Sequence, residues 1–364
     1  MPRLPYRPQF FGRGMGPLFS DGYASEITFS WEELCRAAIT VGRRSWEDVV
    51  PYGTYSFLEA LWRLAMLRAN VVLDSDGRLR KSEAFKNLER SEKGAVSFFF
   101  GNMFSKLLAD KLFDVPWLLH VDRYASYLNP VYRTDRRPDF VGMDTSREWL
   151  VFEAKGRAAY PGDNVMQRAK QQTGSLRTIN GQLPKLRVAA ASYFSNDRLR
   201  ARLWDPTEHD DDAPDLPLSA TALLREYYAP LMDFVLSEAV PHRTVELGSK
   251  AQEKRIVFAQ LPGLDAELGI DAATVDWYRS EDPANILIDR LPKRSSMLSR
   301  IAEFQAIPEA QRDALLGSAE GIVPLDWTRG TEVREEGLDT VRVSLGQSWS
   351  DDVMQRQPGD RGRT

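Results

Sequence analysis

The stretch that most constrains this 364-residue chain is Arg137 to Lys155, RPDFVGMDTSREWLVFEAK. Two apolar runs, Phe140 to Met143 and Trp149 to Phe152, flank the polar Asp144-Thr145-Ser146-Arg147. That pattern predicts two short strands joined by a tight turn. A hairpin centred on Ser146 sets Asp139 opposite Glu153. Directly opposed side chains in an antiparallel pair lie about 5 Å apart on one face. Lys155 shares that face because strand side chains repeat every two residues. Two carboxylates and an ammonium therefore converge at the end of the hairpin, a metal site with a positioned cation. The competing reading is an ordinary buried hairpin with a surface ion pair.

Charge is unevenly distributed around this stretch. Residues 75–205 carry 23 Lys/Arg against 15 Asp/Glu, whereas residues 206–364 carry 17 against 29. The basic third holds the hairpin, as a phosphate-handling site would prefer. Cys35 is the only cysteine and the three histidines are scattered, so neither a disulfide nor a cysteine- or histidine-based metal centre is expected. The N-terminus lacks the apolar core of a signal peptide, and no apolar run of about 18 residues exists to span a membrane. A cytoplasmic setting is the expectation.

Pro138-Asp139, the hairpin, and Glu153-Ala154-Lys155 together resemble the motif of the PD-(D/E)XK nucleases, the restriction-endonuclease-like superfamily. The resemblance covers roughly residues 82–204. It implies an α/β fold, with a restriction-endonuclease-like mixed central sheet flanked by helices. It further implies Mg²⁺ as cofactor, with Mn²⁺ as an alternative, held by Asp139, Glu153 and the Ala154 carbonyl. Lys155 would orient the attacking water or stabilise the transition state. A helix before the hairpin commonly offers a third acidic residue in this superfamily; Glu92 is the candidate, with Glu89 and Glu83 behind it. Several branches place a Gln or Lys on the helix after the motif strand, where Lys170 and Gln171 stand. DNA is the implied partner, with RNA as the alternative.

The surrounding chain gives a coarser reading. Residues 1–25 look like an irregular Pro/Gly/Arg-rich arm, and Ser30 with Glu33 forms a capping box for a first helix. Residues 82–113 carry the longest helical signal, in which Gly94, Ser97 and Gly101 form a small-residue stripe suited to close approach to a sheet. Val115 to Val121 reads as a strand. The loop after it holds Arg123, Arg133, Arg136 and Arg137, which with Arg157 suit phosphate oxygens. Asp163 is placed to cap a helix over 164–179, and Val188 to Phe194 is a small-residue strand fit for a buried centre. The domain plan is an N-terminal arm and helices over 1–75, a nuclease core over 76–205, an acidic α+β module over 206–350 and a disordered tail over 351–364. A protein partner or a homodimer through the acidic module is the expected assembly. His209-Asp210-Asp211-Asp212 reads as an acidic solvated loop.

Three functions remain open at this point. The first is a Mg²⁺-dependent nuclease acting in restriction, phage defence or repair. The second is a catalytically silent nucleic-acid-binding or structural protein on the same fold. The third is an unrelated α/β interaction protein whose hairpin is coincidental.

Overall fold

The computed structural model describes residues 1–11, 15, 17–19, 21, 25–41, 54–122, 137–205, 211–238, 240–247, 254–261, 263–291 and 340–355. The N-terminal part supplies β1 (Arg3–Gln9), β2 (Ser25–Thr28), α1 (Trp31–Thr40), α2 (Thr54–Asn70), β3 (Val71–Leu73) and β4 (Leu79–Lys81). The expected arm is in fact a strand. Leu4, Tyr6 and Pro8 are buried while Arg7 is exposed, and β1 lies inside the main sheet. Its prolines, which usually mark irregular chain, hide this period-two pattern in the sequence. α1 has the expected capping box: Glu33 N donates to Ser30 Oγ at 3.2 Å and Ser30 N donates to Glu33 Oε2 at 3.0 Å.

The middle of the chain forms α3 (Glu83–Asn87), α4 (Arg90–Phe113), β5 (Trp117–His120), β6 (Phe140–Met143), β7 (Trp149–Arg157), α5 (Asp163–Thr173), β8 (Thr178–Ile179), β9 (Leu186–Ser195), β10 (Arg198–Trp204) and β11 (Asp215–Leu216). The helical signal over 82–113 is therefore two helices, and α5 stops short of residue 179. The nine-stranded mixed sheet runs β2-β1-β10-β9-β7-β6-β5, with β4 joining at β10 and pairing with β3. β7 and β9 are parallel neighbours connected through α5, and β6 and β5 continue antiparallel from β7. β9 turns into β10 through Asn196 and Asp197, both in the left-handed region at φ 49° and 62°. Asn and Asp tolerate that conformation, which two-residue hairpins require.

Helices cover the two faces of the β7–β9 pair. α4 lies on the face of Phe152, Ala154 and Gly156. A Cβ on Gly156 would sit 1.5 Å from the Ser97 carbonyl oxygen, and one on Gly101 would sit 2.5 Å from the Gly156 nitrogen. Ser97 and Gly101 thus make the close approach expected of the stripe, whereas a Cβ at Gly94 would meet nothing. α5 takes the opposite face, where Met166 and Ala169 pack on Ala189, Ala191 and Trp204. Behind α4, α1 is tied on by two buried ion pairs, Lys111–Glu33 at 2.9 Å and Arg36–Asp110 at 2.7 Å.

The C-terminal part forms α6 (Ala220–Val235), β12 (His242–Leu247), β13 (Lys254–Leu261), β14 (Ala266–Asp271), α7 (Ala272–Arg279), α8 (Ala284–Ile288), β15 (Val341–Leu345) and α9 (Asp351–Gln355). Its four strands make an antiparallel sheet in the order β12-β13-β14-β15. The sheet shares one hydrophobic core with the rest, which runs from Leu4 through Phe152 to Val343. Trp117 Nε1 donates to Tyr228 Oη at 3.1 Å, joining β5 to α6. Contrary to the disordered tail expected from residue 351, Asp351–Gln355 is helical. Asp351 accepts from the Met1 amino group and from Trp31 Nε1, both at 2.9 Å. Among the described residues, no helix is long and apolar enough to cross a membrane.

Candidate functional site

The β6–β7 hairpin is centred on Ser146: Phe140 pairs with Phe152, Val141 with Val151, Gly142 with Leu150 and Met143 with Trp149. The turn is fixed by Asp144. Its Oδ1 accepts from the amides of Ser146 and Glu148, each at 2.8 Å, while Arg147 takes a left-handed φ of 68°. Burial pushes the Asp144 carboxyl up to about 7, with the charges of Glu148 and Asp114 adding to the push and the two amides opposing it.

At the open end the two strands are linked through side chains. Asp139 N donates to Glu153 Oε2 at 2.9 Å, and Ala154 N donates to Asp139 Oδ2 at 2.9 Å. The other oxygen of Glu153, Oε1, accepts from Lys155 Nζ. Glu153 is completely buried, whereas the Lys155 side chain keeps 18% of its exposure. Burial of a carboxylate without full compensation favours its neutral form. Accordingly, burial and then the Asp139 charge raise Glu153 to about 8, against the pull of Lys155 and of the Asp139 amide. Asp139, Glu153 and Lys155 are therefore brought together as the hairpin register requires.

The other candidates are more dispersed. Glu92 sits in the first turn of α4, exposed, and its Oε2 accepts from the Glu89 amide at 2.9 Å as half of a capping box. α4 covers the sheet face opposite to Glu153 and Lys155, so the structure gives Glu92 a helix-capping place and does not set it beside the pair. Glu89 is the N-cap itself, and Glu83 pairs with Lys86 at 2.8 Å. Arg137 pairs with Asp122 at 2.9 Å, and Arg157 stands exposed at the end of β7. Arg123, Arg133 and Arg136 lie outside the described residues, as do His209 and Asp210.

On α5, Lys170 Nζ sits 5.3 Å above the Phe10 ring, away from the hairpin, and Gln171 is exposed. Gln172 is the residue that turns toward the hairpin mouth: its Nε2 donates to the Arg137 carbonyl at 3.2 Å. The sequence reading missed it by one position. The signal was available in helical phase, since Gln172 lies three residues beyond Ala169, which packs on the sheet.

Among the described residues no group of three or more His, Cys, Asp or Glu side chains is gathered as a metal cage. Two carboxylates nevertheless suit Mg²⁺, which keeps several waters and is commonly held by one or two carboxylates together with substrate phosphates. The Ala154 N–H points at Asp139, and in a strand the carbonyl of the same residue projects to the same side. The donor set of Asp139, Glu153 and the Ala154 carbonyl therefore fits a hard cation. No protein-family model, no curated protein and no solved structure matches this chain.

Proposed function

We propose that the chain is a Mg²⁺-dependent nuclease of the PD-(D/E)XK type, hydrolysing phosphodiester bonds, with DNA as substrate. The observation that supports this best is the splayed end of the hairpin. There Asp139, Glu153 and Lys155 occupy one face of adjacent strands, with each carboxylate oriented by a backbone amide. The finer fold assignment, restriction-endonuclease-like, draws on α4, the run β5-β6-β7, the crossover α5 and the parallel β9, the order in which the resemblance needs its helices and strands.

Phosphodiester hydrolysis requires a nucleophilic water, stabilisation of phosphoryl charge and help for the leaving alkoxide. A Mg²⁺ or Mn²⁺ ion held by Asp139, Glu153 and the Ala154 carbonyl would supply Lewis acidity and a more acidic bound water. The chain's own groups account for the rest. Lys155, held against Glu153 and partly open to solvent, orients a water or meets the developing negative charge. The bond between Asp139 and the Ala154 amide fixes the carboxylate before substrate arrives, so less ordering remains at the moment of reaction. Gln172 ties α5 to the backbone beside Asp139 and keeps the mouth in register.

The test is digestion of linear, circular and single-stranded DNA with Mg²⁺ by wild type and Lys155→Ala. Cleavage by wild type alone supports the proposal. The second reading, a catalytically silent nucleic-acid binder, draws on the complete burial of Glu153. Metal binding without cleavage of any DNA or RNA form would select it.

A further inference from the structure

The sheet face that carries Glu153 and Lys155 continues beyond α5 as a basic surface. Register alignment places two rows side by side, one across four strands and the next across three. Lys155 neighbours Ala191, which neighbours Arg202, which neighbours Arg7; one step further, Arg157 neighbours Tyr193 and Tyr193 neighbours Arg200. Because strand side chains alternate, all of these share the face of Glu153. α5 covers the first row through Ala191, yet Arg7, Arg157 and Arg200 are exposed. None of the three has a carboxylate partner among the described residues. Arg157 Nη1 only reaches back to the neighbouring Gly156 carbonyl at 3.1 Å.

An aromatic ring stands among these cations. Tyr160 retains 58% of its exposure, packs edge-on against Tyr193 with centroids 5.3 Å apart, and lies 5.3 Å from the Arg202 guanidinium carbon. Arg202 Nη1 also donates to Tyr160 Oη at 2.9 Å, so the ring is held in place. Burial, and then the Tyr160 neighbour, raise the Tyr193 hydroxyl above its ordinary value; Arg200, Arg202 and Arg7 lie near enough to pull against that rise.

We propose that Arg7, Arg157, Arg200 and Tyr160 form a track for single-stranded nucleic acid leading to the Asp139–Glu153 site. The inference rests on the nuclease reading for its destination, while the track itself stands on the geometry of this face. Arg157 and Arg200 are two strands apart, about 10 Å at the backbone, and Arg157 is four residues, about 13 Å, along β7 from Glu153. Guanidinium groups suit phosphate oxygens, and long side chains from these positions reach phosphates along one strand. A fixed, exposed tyrosine ring offers a stacking platform that only an unpaired base can use, since duplex bases are already stacked.

The test measures binding of a fluorescein-labelled single-stranded oligonucleotide to the full chain in EDTA, across a salt series. The variants are Arg7→Ala/Arg157→Ala/Arg200→Ala, Tyr160→Ala and Tyr160→Phe. The triple variant should weaken binding at least tenfold and flatten the log–log salt slope by about 2, from three lost contacts at about 0.7 each. Tyr160→Ala should weaken it by about fivefold or more with the slope unchanged, and Tyr160→Phe should retain it. Unchanged binding by the triple variant overturns the proposal. So does equal affinity for duplex, or equal competition by polyglutamate, which would assign the face to an acidic protein. Cleavage by wild type, measured in parallel with Mg²⁺, separates the two claims. Weakened binding by the variants with no wild-type cleavage leaves the track standing and removes the nuclease. Cleavage lost in Lys155→Ala but intact in a triple variant that binds normally does the reverse.

Discussion

Asp139 and Glu153 hold one another across the end of the β6–β7 hairpin: the Asp139 amide donates to Glu153, and the Asp139 carboxylate accepts from the amide next to Glu153. Side chains here continue the ladder that the backbone leaves at Phe140–Phe152. The result is a pair of oriented carboxylates where two strands separate.

Metal should bind this pair in competition with a proton. Glu153 titrates at about 8 rather than at its ordinary 4.5. Its folded value lies above its unfolded one. The stability it contributes is therefore fully present below about 4.5 and is lost as pH rises through about 8. A cation needs the ionised form. Mg²⁺ should thus raise the melting temperature more at pH 8.5 than at pH 6, and Glu153→Ala should abolish the increment. A Mg²⁺ shift independent of pH, or preserved in Glu153→Ala, would exclude this site.

Lys155→Ala should separate binding from chemistry. The ammonium is not a metal donor, so the Mg²⁺-induced stabilisation should persist while cleavage falls by at least about a hundredfold, the scale of losing one charge-stabilising donor. Calorimetric titration and a gel cleavage assay on the same preparation check both halves.

Asp144→Asn should flatten the pH dependence of stability. Asparagine keeps the oxygen that accepts from Ser146 and Glu148 but carries no charge. The Asp144 carboxyl is held up near 7, above its unfolded 3.8, so its contribution is present below 3.8 and disappears as pH rises through about 7. The variant should match wild type within roughly 0.5 kcal/mol at pH 3, where the Asp144 carboxyl is neutral folded or unfolded and the acceptor is preserved, and exceed it at pH 8.5. Urea midpoints at the two pH values decide it.

Gly156→Ala and Gly94→Ala should act in opposite directions. The first drives a methyl to 1.5 Å from the Ser97 carbonyl, between two backbones that have no room to give. A loss above about 3 kcal/mol, or failure to fold, is expected from such overpacking. The second adds a methyl in open space inside α4, where Ala is preferred to Gly by roughly 0.5–1 kcal/mol. Thermal melts of the two proteins give the comparison.

The sequence by itself determined the hairpin register, because apolar runs of fixed length around a polar turn leave one alignment, and Asp139, Glu153 and Lys155 follow from it. It also determined the Ser30–Glu33 cap, the close approach through Ser97 and Gly101, and the buried character of β9, all set by neighbours within a few residues. Only the tertiary structure decided that residues 3–9 enter the main sheet beside β10, and that Glu33, legible as a cap, also meets Lys111 in the core. It decided as well that Gln172, not Gln171, faces the hairpin, and that Arg7, Arg157 and Arg200 meet on one face. Local signals report periodicity and turns. Which strands become neighbours depends on burying apolar surface between segments far apart in the chain, and no short window of residues carries that information.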